Sequence, residues 1–245
     1  LETIASSFDK ISTYGMGYAG YYPPGTPWNQ VDSNCRVAGA AALLNQRRGQ
    51  RVIEVSQGIY QQSTPELQQA EIAAACTAAQ EANAVFPHTV TSLVFTNEYV
   101  TDTVTTNAVT AMLTAHKPAV NVLGLKVGVR SQTFGQLTNP ASPYLAPLQT
   151  LVRNCDFILC NLYPPNPPGT IQDSLFSVTR AFDGITAAVV AVNPQCDVMI
   201  GETGWPSEGR QRETALPSRV NEAKFMREFV TLAEQKGWSY NLIEA

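Results

Sequence analysis

The stretch Val-Met-Ile-Gly-Glu-Thr-Gly-Trp-Pro-Ser-Glu-Gly, residues 198–209, decides how this chain folds and what it does. It is a short apolar run with β-branched residues that ends in the carboxylate of Glu202. The glycines and Pro206 predict that a strand stops there, and Trp205 lies next to the acid in sequence. Parallel α/β enzymes carry catalytic groups at the C-terminal ends of their strands. A single acid in this position is also compatible with a strand that simply ends in an exposed glutamate.

A second stretch, residues 92–98, has the same construction and ends in Asn97 and Glu98. Two carboxylates at the ends of two strands form the pair that glycoside hydrolysis requires. One must be protonated to release the leaving-group oxygen, and the other must be ionised to attack the sugar or to activate water. Glu98 and Glu202 together therefore predict a glycosidase site more specifically than either does alone.

The rest of the chain alternates apolar strand patterns with helical patterns, which is typical of repeated βα units. The predicted strands are 10–18, 51–58, 92–98, 123–130, 156–163, 197–202 and 239–244. The predicted helices are 32–46, 64–83, 103–115, 143–152, 171–192 and 217–236. The spacing of the strand starts leaves room for one strand, one helix and two loops in each unit.

This alternation predicts an α/β protein with a (β/α)8 TIM barrel in a single domain, residues 1–245. We expect the first strand and the last helix of the barrel to lie outside this sequence. An open doubly wound sheet is the competing architecture. It would not explain why acids and aromatic residues collect at so many strand ends, so the barrel is preferred.

Further strand ends carry groups suited to a sugar, which presents apolar C–H faces rimmed by hydroxyls. The predicted substrate-binding residues are Asn97, Tyr14, Gln57, Tyr163, Trp205 and Glu244. Each of them alone is more often structural, because a tyrosine at the mouth of a barrel commonly only packs. Their shared position at strand C-termini is what favours a binding role.

At these residues the chain resembles glycoside hydrolase family 17, the β-1,3-glucanases and β-1,3-glucanosyltransferases. The sequence Gly-Glu-Thr-Gly-Trp-Pro at 201–206 looks like the nucleophile motif of that family, and Thr-Asn-Glu at 96–98 matches the acid/base position of related retaining glycosidases. The likeness runs from residue 10 to residue 245 and is closer to fungal or bacterial members than to plant ones.

The resemblance implies a retaining double displacement on β-1,3-glucan. Glu202 would attack the anomeric carbon, Glu98 would act first as acid and then as base, and Asn97 would bind the 2-hydroxyl. Tyr163 could orient Glu202, while Trp205 and Glu244 would line sugar subsites. A retaining pair should lie about 5–5.5 Å apart. Water as acceptor gives an endo-glucanase and a sugar hydroxyl gives a glucanosyltransferase, and the motifs leave both open.

Composition excludes several other functions. A net charge of −4 with 15% charged residues gives no reason to expect nucleic acid, and we expect no membrane span. Only two histidines are present, with no zinc spacing, so neither a metal nor a cofactor is expected. Residues 15–20 match the dinucleotide pattern G-x-G-x-x-G, but the prolines at 23, 24 and 27 forbid the helix that a pyrophosphate needs.

Five cysteines cannot all pair internally. Cys155 and Cys196 each precede an apolar strand, and they are either a disulfide or two buried thiols. The acidic balance and few lysines favour an extracellular, cell-wall or periplasmic location. The sequence does not define an oligomeric state.

Two other functional classes remain open. The first is a catalytically weak carbohydrate-binding or cell-wall structural barrel, against which the presence of both glutamates and Asn97 argues. The second is a barrel lyase or aldolase, which would need a Schiff-base lysine at a strand end. Lys126 is the candidate, but it is predicted too far from the end of its strand.

Overall fold

The computed structural model describes residues 1–16, 34–164, 170–210 and 216–243. The chain forms two compact units, residues 1–129 and 130–245. A single domain can contain two such units, so the prediction of one domain over 1–245 stays a prediction.

Strands and helices alternate in the first unit, as the sequence predicts. In chain order the elements are α1 (Glu2–Ala5), β1 (Lys10–Ser12), α2 (Asn34–Arg48), β2 (Glu54–Ile59), α3 (Pro65–Val85), β3 (Val90–Asn97) and α4 (Thr103–Val122). β1 pairs with β2 and β2 pairs with β3, both in parallel. The three strands therefore end at one edge, to which they bring the polar residues that follow them.

The start of β2 is set by Asn45, a fully buried residue of α2. Its Oδ1 accepts the backbone N–H groups of Val52 and Ile53, and its Nδ2 donates to the Ile53 carbonyl. These backbone groups are thus occupied by a side chain rather than by a neighbouring strand. For this reason β2 begins at Glu54, three residues later than the predicted start.

β4 (Lys126–Ser131) contains the boundary between the two units. Gly124, at a φ of 73°, ends α4 in the left-handed conformation that favours glycine, so β4 starts after the predicted residue 123. Lys126 is the first residue of β4 and is exposed. It therefore lies at the strand end opposite to a barrel active site, which argues against the Schiff-base alternative.

In the second unit a 3-10 helix (Thr133–Thr138) precedes α5 (Leu145–Asn154), β5 (Phe157–Asn161), α6 (Ile171–Val192), β6 (Asp197–Glu202) and α7 (Arg219–Lys236). β5 and β6 are parallel, with Phe157 opposite Asp197 and Asn161 opposite Glu202. A register shift between Cys160 and Asn161 lies at the C-terminal ends of the pair. Such irregularities re-aim side chains next to active sites.

α6 is long and apolar enough, by length and composition, to cross a membrane. Its buried residues Leu175, Val178 and Phe182 nevertheless belong to a hydrophobic cluster that also contains Ile200 of β6 and Phe225 of α7. A helix whose apolar face packs on a strand and on another helix has the contacts of a core helix in a βα unit. Core packing therefore explains the buried apolar face of α6.

In the second unit one sequence-based expectation is wrong, and of the two alternatives left open for Cys155 and Cys196 the structure has the two buried thiols. The predicted strand 239–244 is reduced to one isolated parallel bridge between Tyr240 and Ile200, and Glu244 lies outside the described residues. The Cys155–Cys196 disulfide is not formed, because both residues remain thiols. The pairing of Phe157 with Asp197 puts Cys155 and Cys196 one residue out of step.

Candidate active site

Glu202 is the last residue of β6, and its side chain is only 6% exposed. The hydroxyl of Tyr163 donates to Glu202 Oε2 at 2.6 Å. The Leu162 backbone N–H donates to the Glu202 carbonyl at 2.8 Å, which fixes the chain just before Tyr163. Glu202 Oε1 is buried and has no hydrogen-bond partner among the described residues. The carboxylate is therefore held on one oxygen and available for chemistry on the other.

The residue before the acid must be a glycine because the strands meet closely there. A Cβ on Gly201 would lie 2.7 Å from Asn161 Oδ1 and 2.9 Å from Leu159 Cβ. Contacts this short are not tolerated, so any side chain at position 201 would displace β5 from β6. Gly201 thus allows Asn161 and Glu202 to lie side by side at the strand ends.

Trp205 corrects the sequence-based interpretation of a sugar subsite. The side chain is 3% exposed, and its ring centroid lies 5.7 Å from that of Phe225 within the hydrophobic cluster of α6, β6 and α7. Its Nε1 donates to the Leu216 carbonyl at 3.3 Å. The role of this residue is therefore structural: the ring packs in the core and the N–H is satisfied, leaving no open face for a sugar.

The backbone is unusual at the C-terminal end of β3, which consists of Thr96 and Asn97 and is followed by Glu98. Thr96 has a φ of 62° and Glu98 a φ of 52°. Positive φ is unfavourable for a β-branched residue, and such strain is concentrated at active sites. Side chains alternate between the two faces of a regular strand. Because the residues on both sides of Asn97 are left-handed, this alternation is broken where the strand ends, at Asn97 and Glu98.

Unsatisfied polar atoms also collect at the end of β3. Thr96 Oγ1 and Asn97 Oδ1 are buried with no hydrogen-bond partner among the described residues. Buried polar atoms are nearly always satisfied in native proteins, so exceptions of this kind are typical of strained or functional sites. Both atoms can accept a hydrogen bond from a sugar hydroxyl, and the predicted contact of Asn97 with the 2-hydroxyl stays a prediction.

Gln57 of β2 repeats this pattern. It is fully buried, its Nε2 donates to Thr13 Oγ1 at 2.8 Å and to the Gly58 carbonyl at 3.1 Å, and its Oε1 is buried without a partner among the described residues. Tyr14 lies in the segment that follows β1 and is partly buried. Gln57 thus lies two residues before the C-terminal end of β2 and Tyr14 two residues after that of β1, and their binding of substrate stays a prediction.

A thiol nucleophile is disfavoured at this edge of the second unit. Cys160 of β5 is 1% exposed, and burial, with a smaller contribution from Cys196, raises the pKa of its thiol far above the usual range. The thiolate is the reactive form, so this cysteine is inert. Across the ranges that the structure describes, no group of three or more His, Cys, Asp and Glu could hold a metal ion.

Glu98 and Glu202 belong to different compact units, so their expected separation of about 5–5.5 Å stays a prediction. Glu244 and the glycines at 17 and 20 fall outside the described residues. Glu71, a fully buried acid of α3 that binds the segments following β1 and β2, is not predicted from the sequence. A charged residue next to the buried Ile72 on the apolar face of a helix is the signal that could have revealed it.

Comparison with solved structures defines the class of fold. The β-1,3-glucanosyltransferase of glycoside hydrolase family 17 from Rhizomucor miehei superposes with a TM-score of 0.68 and 18% identity, over 100% of this chain and 78% of that one. An endo-laminarinase from Formosa Hel1_33_131 superposes with a TM-score of 0.76 and 15% identity, over 98% of this chain and 70% of that one. These likenesses show the (β/α)8 barrel fold of glycosidases and confirm the predicted fold class.

The sequence then defines the family. Residues 32–245 match the BtgE/BtgC glycoside hydrolase domain, and this chain belongs to that family. A glucan 1,3-beta-glucosidase of Saccharomyces cerevisiae is 26% identical over 98 residues. That match takes in 38% of this chain and 30% of the yeast protein, so the chain spans about a third of this curated relative's length. The predicted resemblance to β-1,3-glucan-active glycosidases with fungal and bacterial relatives is confirmed.

Proposed function

We propose that this protein is a retaining glycosidase or transglycosylase that acts on β-1,3-glucan through a glycosyl-enzyme intermediate. The observation that carries the proposal is the Glu202 carboxylate: buried at a strand end, bound on one oxygen by Tyr163 and without a partner on the other among the described residues. An ionised nucleophile needs a fixed direction of attack and a dry environment, and this arrangement supplies both.

The proposed reaction has two displacements. Glu202 attacks the anomeric carbon while Glu98 protonates the departing glycosidic oxygen, which forms the glycosyl-enzyme and releases the leaving group. Glu98 then removes a proton from the acceptor, whose oxygen attacks the same carbon and frees Glu202. Asn97 binds the 2-hydroxyl, an interaction that strengthens in the transition state. Gln57, Tyr14 and Glu244 are proposed to bind the rest of the sugar chain.

The acceptor determines the biological role. With water the enzyme is an endo-β-1,3-glucanase, and with a sugar hydroxyl it is a β-1,3-glucanosyltransferase. Among the structural neighbours, the Rhizomucor miehei enzyme is a β-1,3-glucanosyltransferase and the Formosa enzyme is an endo-laminarinase. We further propose that the natural substrate is the β-glucan of a cell wall and that the protein is secreted to it, in keeping with its acidic pI of 5.2.

The test is to incubate the protein with a β-1,3-linked glucose hexasaccharide and to follow product mass and linkage with time. Products shorter than the substrate identify a hydrolase, and products longer than the substrate identify a transferase. Glu202→Ala and Glu98→Ala should each lower turnover by at least about a thousandfold, the order of magnitude expected when a nucleophile or a general acid is removed.

Glu81→Ala is the matched control, because Glu81 is an exposed acid of α3 and should leave turnover unchanged. A folded wild-type protein that binds the hexasaccharide without converting it would contradict the proposal. That result would favour the carbohydrate-binding alternative instead.

A further inference from the structure

Tyr60 combines a fixed backbone with an exposed ring. It directly follows β2, at the edge where Gln57 and the end of β3 also lie. Its preceding neighbour Ile59 is fully buried, whereas Tyr60 itself is 38% exposed. A large exposed aromatic at the catalytic end of a barrel strand is a site at which a ligand can pack.

Glu71 of α3 holds the N-terminal side of this residue. Its carboxylate is fully buried, and Oε1 accepts the Tyr60 backbone N–H at 3.2 Å and the Met16 backbone N–H at 2.6 Å. One oxygen atom thus joins the segment that follows β1 to the segment that follows β2. Glu71 Oε2 is buried without a hydrogen-bond partner among the described residues, and burying such an oxygen costs stability.

Gln68, three residues earlier on α3, holds the other side. Its Nε2 donates to the Tyr60 carbonyl at 3.3 Å, and its Oε1 accepts the Gln62 backbone N–H at 2.8 Å. Residues three apart share one face of a helix. The same face of α3 therefore binds both backbone groups of Tyr60 and leaves its ring outside.

Gly15 completes the arrangement from the β1 side. A Cβ at this position would lie 2.7 Å from Tyr60 Cβ and 3.0 Å from Glu71 Oε1. Any side chain there would displace the tyrosine or the carboxylate. The segment after β1 thus packs directly against the base of the Tyr60 side chain.

We propose that Tyr60 is a sugar-binding platform of the glucan site and that Glu71 and Gln68 are positioning residues that fix it. The proposal rests on the proposed glucan-directed function, to which it adds a specific contact. A ring whose backbone is already immobilised loses little conformational entropy when a sugar packs on it, so it contributes more affinity than a mobile one. The hydroxyl at the rim of the ring can hydrogen-bond a sugar hydroxyl.

Binding is the first readout, because it does not depend on turnover. The affinity of the full chain for a β-1,3-linked glucose hexasaccharide is measured by calorimetry, with a β-1,4-linked hexasaccharide as the reference ligand. Tyr60→Ala should weaken binding about tenfold, in the range of one aromatic contact. Tyr60→Trp keeps a flat ring and should stay within about threefold of wild type. Phe176→Ala removes an exposed aromatic of α6 and should change nothing.

The positioning residues have their own matched variants. Gln68→Ala should weaken binding about threefold, roughly one neutral hydrogen bond, while the exposed neighbour variant Gln69→Ala should not. Glu71→Gln keeps an acceptor at Oε1 and should bind like wild type, whereas Glu71→Ala should bind like Tyr60→Ala. If Glu71→Ala fails to fold, Gly15→Ala displaces Tyr60 from the other side and takes its place.

In steady-state kinetics these variants should raise KM and leave kcat within about twofold, since the ring binds substrate and transition state alike. Equal affinity of wild type and Tyr60→Ala would overturn the platform, even if the protein turns over glucan. The positioning roles would be overturned if Tyr60→Ala binds weakly while Gln68→Ala and Glu71→Ala bind like wild type. If Glu71→Ala does not fold, Gly15→Ala replaces it in this comparison. A wild-type protein that binds the hexasaccharide without turnover would refute the proposed function, and the affinities would then test the role of Tyr60 by themselves. A wild-type protein that does not bind the hexasaccharide would overturn both the proposed function and the Tyr60 platform.

Discussion

The hydroxyl of Tyr163 orients the Glu202 carboxylate, to which it donates at 2.6 Å. Glu202 is buried and Tyr163 is 44% exposed, so the tyrosine lies between the acid and solvent. Hydrogen bonds to a charged group contribute about 1.5–3 kcal/mol. The orientation of the proposed nucleophile, Glu202, therefore depends on the hydroxyl group of a single residue, Tyr163.

We therefore expect Tyr163→Phe to lower kcat about 10- to 100-fold, because the carboxylate loses the group that orients it. The ring remains, so the fold and the KM for the hexasaccharide should change little. Steady-state kinetics would measure both constants. Tyr144→Phe is the control, and a Tyr163→Phe enzyme as fast as wild type would remove Tyr163 from the proposed machinery.

The contrast between Tyr163 and Trp205 shows what sequence patterns can and cannot predict for single residues. The sequence predicts both aromatics at strand ends, and the predicted contact of Tyr163 with Glu202 is found. Trp205 is instead buried against Phe225 in the cluster of α6, β6 and α7, three residues beyond the end of β6. The direction of a side chain after a turn depends on tertiary packing and is not written in local spacing.

At the scale of elements, β2 and the segment that follows β1 approach so closely that they need a glycine. A Cβ on Gly58 would clash with the Thr13 carbonyl oxygen and with the Tyr14 carbonyl carbon. Both obstacles are backbone atoms, which cannot move without moving the strand. The close approach lets Thr13 Oγ1 bind both Gly58 N–H and Gln57 Nε2, at 2.8 Å each.

Gly58→Ala should accordingly lower the free energy of unfolding by about 1–3 kcal/mol or more, through overpacking. Gly39→Ala provides the matched glycine, since Gly39 lies in α2 and a Cβ there would meet no described atom within 4 Å. That variant should raise stability by up to about 1 kcal/mol, from helix propensity. Urea denaturation measures whether the free energy of unfolding falls or rises in each variant. A Gly58→Ala protein as stable as Gly39→Ala would contradict the close contact of Gly58 with Thr13 and Tyr14.

At the opposite edge, Glu54 begins β2 and joins it to its neighbours. Its Oε1 lies 2.7 Å from Lys10 Nζ and accepts the Thr91 hydroxyl at 2.6 Å, and its Oε2 lies 3.5 Å from an Arg51 guanidinium nitrogen. Burial alone would raise the pKa of Glu54. The hydrogen bonds of Lys10 and Thr91 and the charges of Lys10 and Arg51 outweigh burial and hold this pKa below its usual value.

A lowered folded-state pKa means that Glu54 stabilises the fold above its unfolded pKa of about 4.3, and that this contribution is lost as the pH falls through the folded value. Glu54→Gln should therefore be less stable than wild type at pH 7, and the difference should shrink below about pH 4. Chemical denaturation at several pH values measures it, with the exposed Glu81→Gln as control. A difference that does not depend on pH would show that the carboxylate charge is not what matters.

At the scale of the whole molecule, most of the architecture could be predicted from hydrophobic periodicity. β6 and α6 have the bounds that the sequence predicts, and Thr170 caps α6 with Asp173 in a capping box. Other bounds depend on side chains remote in sequence: Asn45 delays β2 by binding Val52 and Ile53. α4 continues through Pro118 to Val122, beyond the predicted end at 115. Val120, in this additional part of the helix, is buried.

The acids of the candidate site could be predicted from the sequence, but the residues that position its other groups could not. The two glutamates follow apolar runs, which a sequence displays directly. Glu71 and Gln68 act on Tyr60 through a helix that is distant from the acids in sequence, and the left-handed φ of Thr96 has no sequence signal, because threonine normally avoids it. Positioning groups of this kind become visible only once the chain is folded.

The most direct test of the central claim is to trap the intermediate on Glu202. The protein is incubated with a β-glucosyl donor that carries fluorine at C2 and a good leaving group, and its mass is then measured intact and after digestion. We predict a mass gain of one glycosyl residue on the peptide containing Glu202, absent from Glu202→Gln, together with products of retained anomeric configuration. An adduct on another residue, or products of inverted configuration, would contradict the account.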